Sequence, residues 1–159
     1  MEFVLVGIPT VFLVLSVFEI SMIMWQYHTL AEAVARVARY AAANGETCYG
    51  SGYSCGTTVG NIATAIKDQA VGILSANLTI TLTANGSQIA QGTVDSFITP
   101  TLNTTDFPPD GANGAAGSQI TIVASYPIPN PLFGYWPGGG VMAAKKYTLQ
   151  ATSTQEILF

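Results

Sequence analysis

The sequence predicts an α+β protein: a long N-terminal apolar helix followed by a small globular domain in which one helix packs on a mainly antiparallel β-sheet. Three observations predict it. The stretch from Phe3 to Trp25, "FVLVGIPTVFLVLSVFEISMIMW", holds a single charged residue, Glu19. It runs on without a break into an Ala-rich segment of helical spacing. Past Asn77 the apolar period drops from 3.6 to 2, the mark of half-buried strands. The natural division is residues 1–44 as helix and 45–159 as an exported domain.

Composition limits function first. Charged residues are 9% of the 159, well below the roughly 25% of an ordinary soluble domain. The net charge is −4, and the cations Arg36, Arg39, Lys67, Lys145 and Lys146 form no run longer than two, so no basic patch for nucleic acid is expected.

The apolar run of about 23 residues would be about 35 Å long as a helix, enough to cross a hydrocarbon core of about 30 Å. A signal peptide fits poorly, since the basic n-region and a clear cleavage site are missing and the run exceeds the usual apolar length. In the continuation "WQYHTLAEAVARVARYAAANG", Leu30, Val34, Val37 and Tyr40 recur at helical spacing, and Gly45, or Asn44, supplies a stop. One helix from Glu2 to about Ala43 is therefore expected. Pro9 has no N–H for the carbonyl of Leu5, so a kink or a short unwound stretch is expected near Gly7 to Pro9. A freed carbonyl in lipid favours a packed helix bundle over a lone anchor.

Cys48 and Cys55 bracket "YGSGYS" and are the only cysteines. In an extracytoplasmic setting they read as a disulfide closing a short loop. Zinc would need more ligands than these and the lone histidine, His28, which reads as a packing or interface residue. Redox chemistry usually has a tighter C-x-x-C spacing.

A second helix follows, capped by Thr57 or Thr58, with Val59, Ile62, Ala63, Ile66, Ala70 and Ile73 on one face. "NLTITLTA" alternates as a strand, Asn85-Gly86 signals a hairpin, and "QIAQGT" is its partner. Further strands are expected from about Ser118 to Tyr126, ended by Pro127, Pro129 and Pro131, and from about Lys145 to Glu156. With no helical pattern between these later strands, antiparallel order is favoured. Of the two Pro- and Gly-rich loops, the second carries Phe133, Tyr135 and Trp136, which either cap their own sheet or pack against an adjacent subunit. Three sequons, at Asn77, Asn85 and Asn103, rank as candidate glycosylation sites in the order Asn103, Asn85, Asn77, with Asn77 inside a strand.

No catalytic constellation is found: the lone histidine rules out most His-based triads, the phosphate-binding loop lacks its residues, and Asp106 and Asp110 lie in a loop where solvation explains them. An enzyme is not expected, nor any metal or other cofactor.

The N-terminal segment, with Glu2-Phe3, Pro9 in an apolar run, Glu19 and Ala38-Arg39-Tyr40-Ala41, resembles the TadE-like family of pilins and pseudopilins from tight-adherence secretion systems. "ITIVASYPIPNPLFG" and "YTLQATSTQEI" look similar to that family's later strands, less distinctively. The resemblance implies a type IV pilin-like subunit, held in the inner or cytoplasmic membrane by its helix, trimmed by a prepilin peptidase and drawn by assembly machinery into a helical homopolymer at the cell surface. Such a filament would serve adhesion or surface colonisation. A pilin-like protein of this kind is cut after a glycine with its glutamate fifth, whereas Glu2 stands second here. By the same resemblance Glu2 would meet the N-terminal amine of a neighbour. Glu19 would pair with Arg36 or Arg39 of a staggered subunit, or with Ser16 or Ser21 if protonated. Its alternative is to snorkel beside Trp25 and Tyr27. The competing functional readings are a monomeric membrane-anchored binding module and a minor pilin at a filament tip.

Overall fold

A computed structural model of the chain describes residues 2–44, 57–109, 114–128 and 147–157, with side chains from Val6 onward. The element order is α1 (Glu2–Ala43), α2 (Val59–Gln69), β1 (Thr79–Ala84), β2 (Ser87–Thr93), α3 (Val94–Ile98), β3 (Gln119–Ile128) and β4 (Tyr147–Glu156). This is the predicted α+β arrangement, with α3 added to the one domain helix expected.

The four strands form one antiparallel sheet in the order β2-β1-β3-β4. Alternation along each strand separates its faces. Ile80, Leu82 and Ala84 of β1 pair with Ala124, Ile122 and Ile120 of β3, and Ala124 and Ile122 pair in turn with Ala151 and Ser153 of β4. All of these are buried. The opposite face presents Thr83, Thr121 and Thr154 in one row, the last two joined by a 3.0 Å hydroxyl–hydroxyl hydrogen bond.

The β1–β2 hairpin turns on Asn85 and Gly86, whose φ values of 47° and 77° are the left-handed pair of a type I′ turn. Ile89 is the extra residue of a bulge opposite Leu82 and Thr83. β3 does not stop before Pro127 as expected but continues to Ile128. Its pairing with β1 ends at Ser125, so Pro127 opposes only Thr148 and deprives no second ladder of a donor.

The buried face is covered by helices. The second half of α1 lies over β3 and β4, and α2 runs between α1 and α3. From α1 the core takes Leu30, Ala33, Val34, Val37, Ala38, Ala41 and Ala42. Tyr40, read from the sequence as a member of this stripe, is 55% exposed. The inward spacing runs 30, 34, 37, 41 and carries residue 40 round to the flank. Asn44 closes the helix, its side-chain amide donating to the Tyr40 carbonyl at 2.8 Å.

The first turn of α2 is satisfied by two sources. Thr58 Oγ1 accepts from the Asn61 N–H, the cap the sequence allowed. The N–H groups of Val59 and Gly60 donate instead to the carbonyls of Thr105 and Asn103, at 2.8 and 3.0 Å, in the loop after α3. Phe107 of that loop is fully buried. A stretch that reads as Pro/Gly-rich connection is thus a strap over the helix N-terminus, supplying acceptors for donors that α2 cannot pair internally.

The assignment of α1 runs unbroken through Gly7, Ile8 and Pro9, so the unwound stretch is not present. A proline interior to a helix forfeits one hydrogen bond, and the remaining turns on either side hold the segment helical. Next to the freed Leu5 carbonyl, Thr10 Oγ1 donates to Val6 O at 2.7 Å.

A candidate assembly and membrane surface

Among the described residues, the first half of α1 buries none of its large apolar side chains. Among the described residues this is the one helix long and apolar enough to cross a membrane, and its most apolar window is uncovered on every side. Val6 is 69% and Phe18 70% exposed, with Leu13, Val17, Ile20 and Met22 also open. A helix apolar all round is stable only when something apolar surrounds it. Its hydroxyls are turned inward: Thr10, Ser16 and Ser21 donate to the carbonyls of Val6, Phe12 and Val17. That removes polar hydrogens from the outer surface, as a helix in hydrocarbon requires.

Glu19 is half-buried and belongs to a cleft of about 130 Å³ with Met22, Ile23, Gln26, Tyr126 and Ile128. The carboxylate therefore stands where α1 first meets the end of β3. Sequence spacing alone had no means of finding this, since Tyr126 lies more than a hundred residues away and reaches Glu19 only through the sheet register.

The two arginines differ. Arg36 is held by Glu32 one turn back, an exposed i,i+4 pair of little energetic weight. Arg39 is exposed and makes no ion pair among the described residues. A second cleft, of about 190 Å³, separates α1 from the end of α2 and is lined by Thr29, Glu32, Ala33, Arg36, Asp68, Gln69 and Val71. His28 is exposed and meets Tyr27 edge-on, with ring centroids 5.8 Å apart. Among the described residues no three His, Cys, Asp or Glu side chains gather as metal ligands do.

Asn85 is exposed at the hairpin tip, and Asn103 is half-buried with its side-chain oxygen accepting from the Thr105 N–H at 2.8 Å. Asn77 is not inside a strand: it lies exposed in the turn before β1, because the ladder begins at Thr79. Glu2 begins α1, but its side chain is outside the described residues, as are Cys48, Cys55, Asp110, Phe133, Tyr135 and Trp136.

Residues 1–39 match the family model described as TadE-like protein. The chain is TadE-like over its N-terminal helix. No match was found among curated proteins or among solved structures. The TadE-like segment takes in Glu2, Pro9, Glu19, Arg36 and Arg39, which is to say the uncovered half of α1 and most of its docked half. The match covers the N-terminal quarter of the chain, and the open apolar helix is compatible with a membrane-anchored location.

Proposed function

We propose that this protein is a structural, pilin-like subunit without catalytic activity, which sits in the membrane through the first half of α1 and polymerises through it into an extracellular tight-adherence filament for adhesion. One observation carries the reading: a single continuous helix whose second half is a core element of the domain and whose first half, among the described residues, leaves its large apolar side chains exposed. Lipid before assembly, and other copies of the same helix afterwards, are the two surroundings that such a surface tolerates. The TadE-like match over residues 1–39 supports the same reading and brings the expectation of a prepilin peptidase and assembly machinery as partners.

Glu2 and Glu19 then act as assembly contacts. An ionised carboxylate at bilayer depth is costly, by about 2.5–3.5 kcal/mol on insertion scales, so a subunit gains by moving it beside a cation. Arg36 or Arg39 of a staggered neighbour is the partner for Glu19, implying an axial offset of about 25–30 Å between paired subunits from the helix rise. The test compares membrane and sheared-filament fractions for wild type, Glu2→Leu and Glu19→Leu. Both variants are expected to stay in the membrane and to lose filament. Undiminished filament from both overturns the contact role, and a wild type that forms none favours the membrane-anchored binding module.

A further inference from the structure

We propose that the loop between α2 and β1, residues 70–78, is a second membrane-contacting element: a ledge in which Val71 and Leu74 enter the bilayer interface beside Trp25. The inference rests on the reading that the first half of α1 spans a bilayer. Outside α1, the exposed large apolar side chains among the described residues are Val71, Leu74 and Leu102, and the first two, 61% and 65% exposed, share this loop. The loop is firmly placed. Ala70 and Leu78 at its ends are buried, and Ile73 packs on the core. Leu74 is left open to the outside, and Val71, also exposed, edges the cleft between α1 and the end of α2.

The loop is also pinned to one level of the helix. Gln26 Nε2 donates to the Gly72 carbonyl at 3.2 Å. Gly72 has φ +83°, and a Cβ there would lie 2.6 Å from Trp25 Cζ3, so the glycine lets the loop backbone rest against the indole. That level is set by the span. The twenty residues from Phe3 to Met22 cover about 30 Å, the thickness of a hydrocarbon core, and Trp25 falls one turn beyond, in the interface where Trp and Tyr concentrate. Tyr126 and Ile128 approach α1 at Met22 and Ile23, so the same end of the sheet faces the bilayer. The Asn85–Gly86 tip lies at the other end of β1, about 20 Å away along six strand residues.

The occupant is lipid. Residues 70–78 carry no charge to steer or orient a protein partner, and the two side chains extend an apolar surface that α1 already delivers to a bilayer. A ledge of this kind would restrain the tilt of the domain on the membrane before extraction.

The experiment uses the full chain in phosphatidylcholine and phosphatidylglycerol vesicles, with acyl chains brominated near the headgroup or near the bilayer centre as quenchers. Trp136→Phe leaves Trp25 as the reporter of the span. Leu74→Trp and, separately, Val71→Trp, each with Trp25→Phe and Trp136→Phe, report the loop, and Ser87→Trp in that background reports the far end. The expected result is loss of about half the emission for Trp25 and for the loop indoles, stronger with the shallow quencher for the loop, with Ser87→Trp unaffected. Quenching of Trp25 without quenching at either loop position overturns the ledge and leaves the span standing. Equal quenching at Ser87→Trp also overturns it, and an unquenched Trp25 removes the span and the ledge together.

Discussion

Gly60 has no side chain because the strap after α3 leaves no room for one. A Cβ at this position would lie 2.5 Å from Leu102 Cγ and 2.7 Å from the Asn103 carbonyl oxygen, the same oxygen that accepts the Gly60 N–H. Gly60→Ala must therefore push the strap off the helix N-terminus, and a loss of about 1–3 kcal/mol is expected. Gly86→Ala meets nothing within 4 Å, and its cost comes from the positive φ alone, about 1 kcal/mol. Chemical unfolding of the full chain in detergent micelles should rank the two in that order; equal effects would mean that the strap yields freely. Residue by residue, the sequence was legible where the rule is local. Thr58 as cap and Asn85-Gly86 as turn need only their neighbours, whereas the reason for Gly60 sits more than forty residues downstream.

The sheet is the element that shows most plainly how alternation is converted into energy. Ile122 lies at the centre of β3, fully buried, with Leu82 and Ser153 as its cross-strand neighbours. Ile122→Ala is expected to cost about 2–5 kcal/mol, as large-to-small changes in well-packed cores do. Thr154→Ala, one strand across on the open face, removes a hydroxyl contact with Thr121 and is expected to cost less than about 1 kcal/mol. The same unfolding measurement separates them, and a large effect at Thr154 would mean that the open face is covered in the folded protein. Each strand was visible as an element from its period. The end of β3 was not, since whether Pro127 breaks a strand depends on whether another strand lies on its other side.

At the scale of the molecule, α1 is one helix with two solvents. Its second half buries Leu30, Val34 and Val37 completely, which by area contributes about 5–8 kcal/mol, comparable with the whole stability of a small domain. A chain beginning at Trp25 is therefore expected to fold as a soluble domain, and one beginning at Gly45 to remain unfolded. Far-ultraviolet circular dichroism and a cooperative thermal transition test both. Folding of the shorter chain would show that the helix is an appendage and not part of the core.

The helix, its length, its apolar first half and the α+β class were all determined by the sequence itself, because helical period, strand period and hydrocarbon-length runs are properties of contiguous residues. So were the carboxylates at positions 2 and 19 and the TadE-like match over residues 1–39. Tertiary structure alone decided that Glu19 stands against Tyr126 and Ile128, that the loop after α3 completes the α2 terminus, and that Gly72 rests against Trp25. Each of these joins residues far apart in the chain. Their meeting depends on strand order and register, which the hydrophobic pattern constrains for each strand separately but which become definite only when the helices and the sheet close on one core.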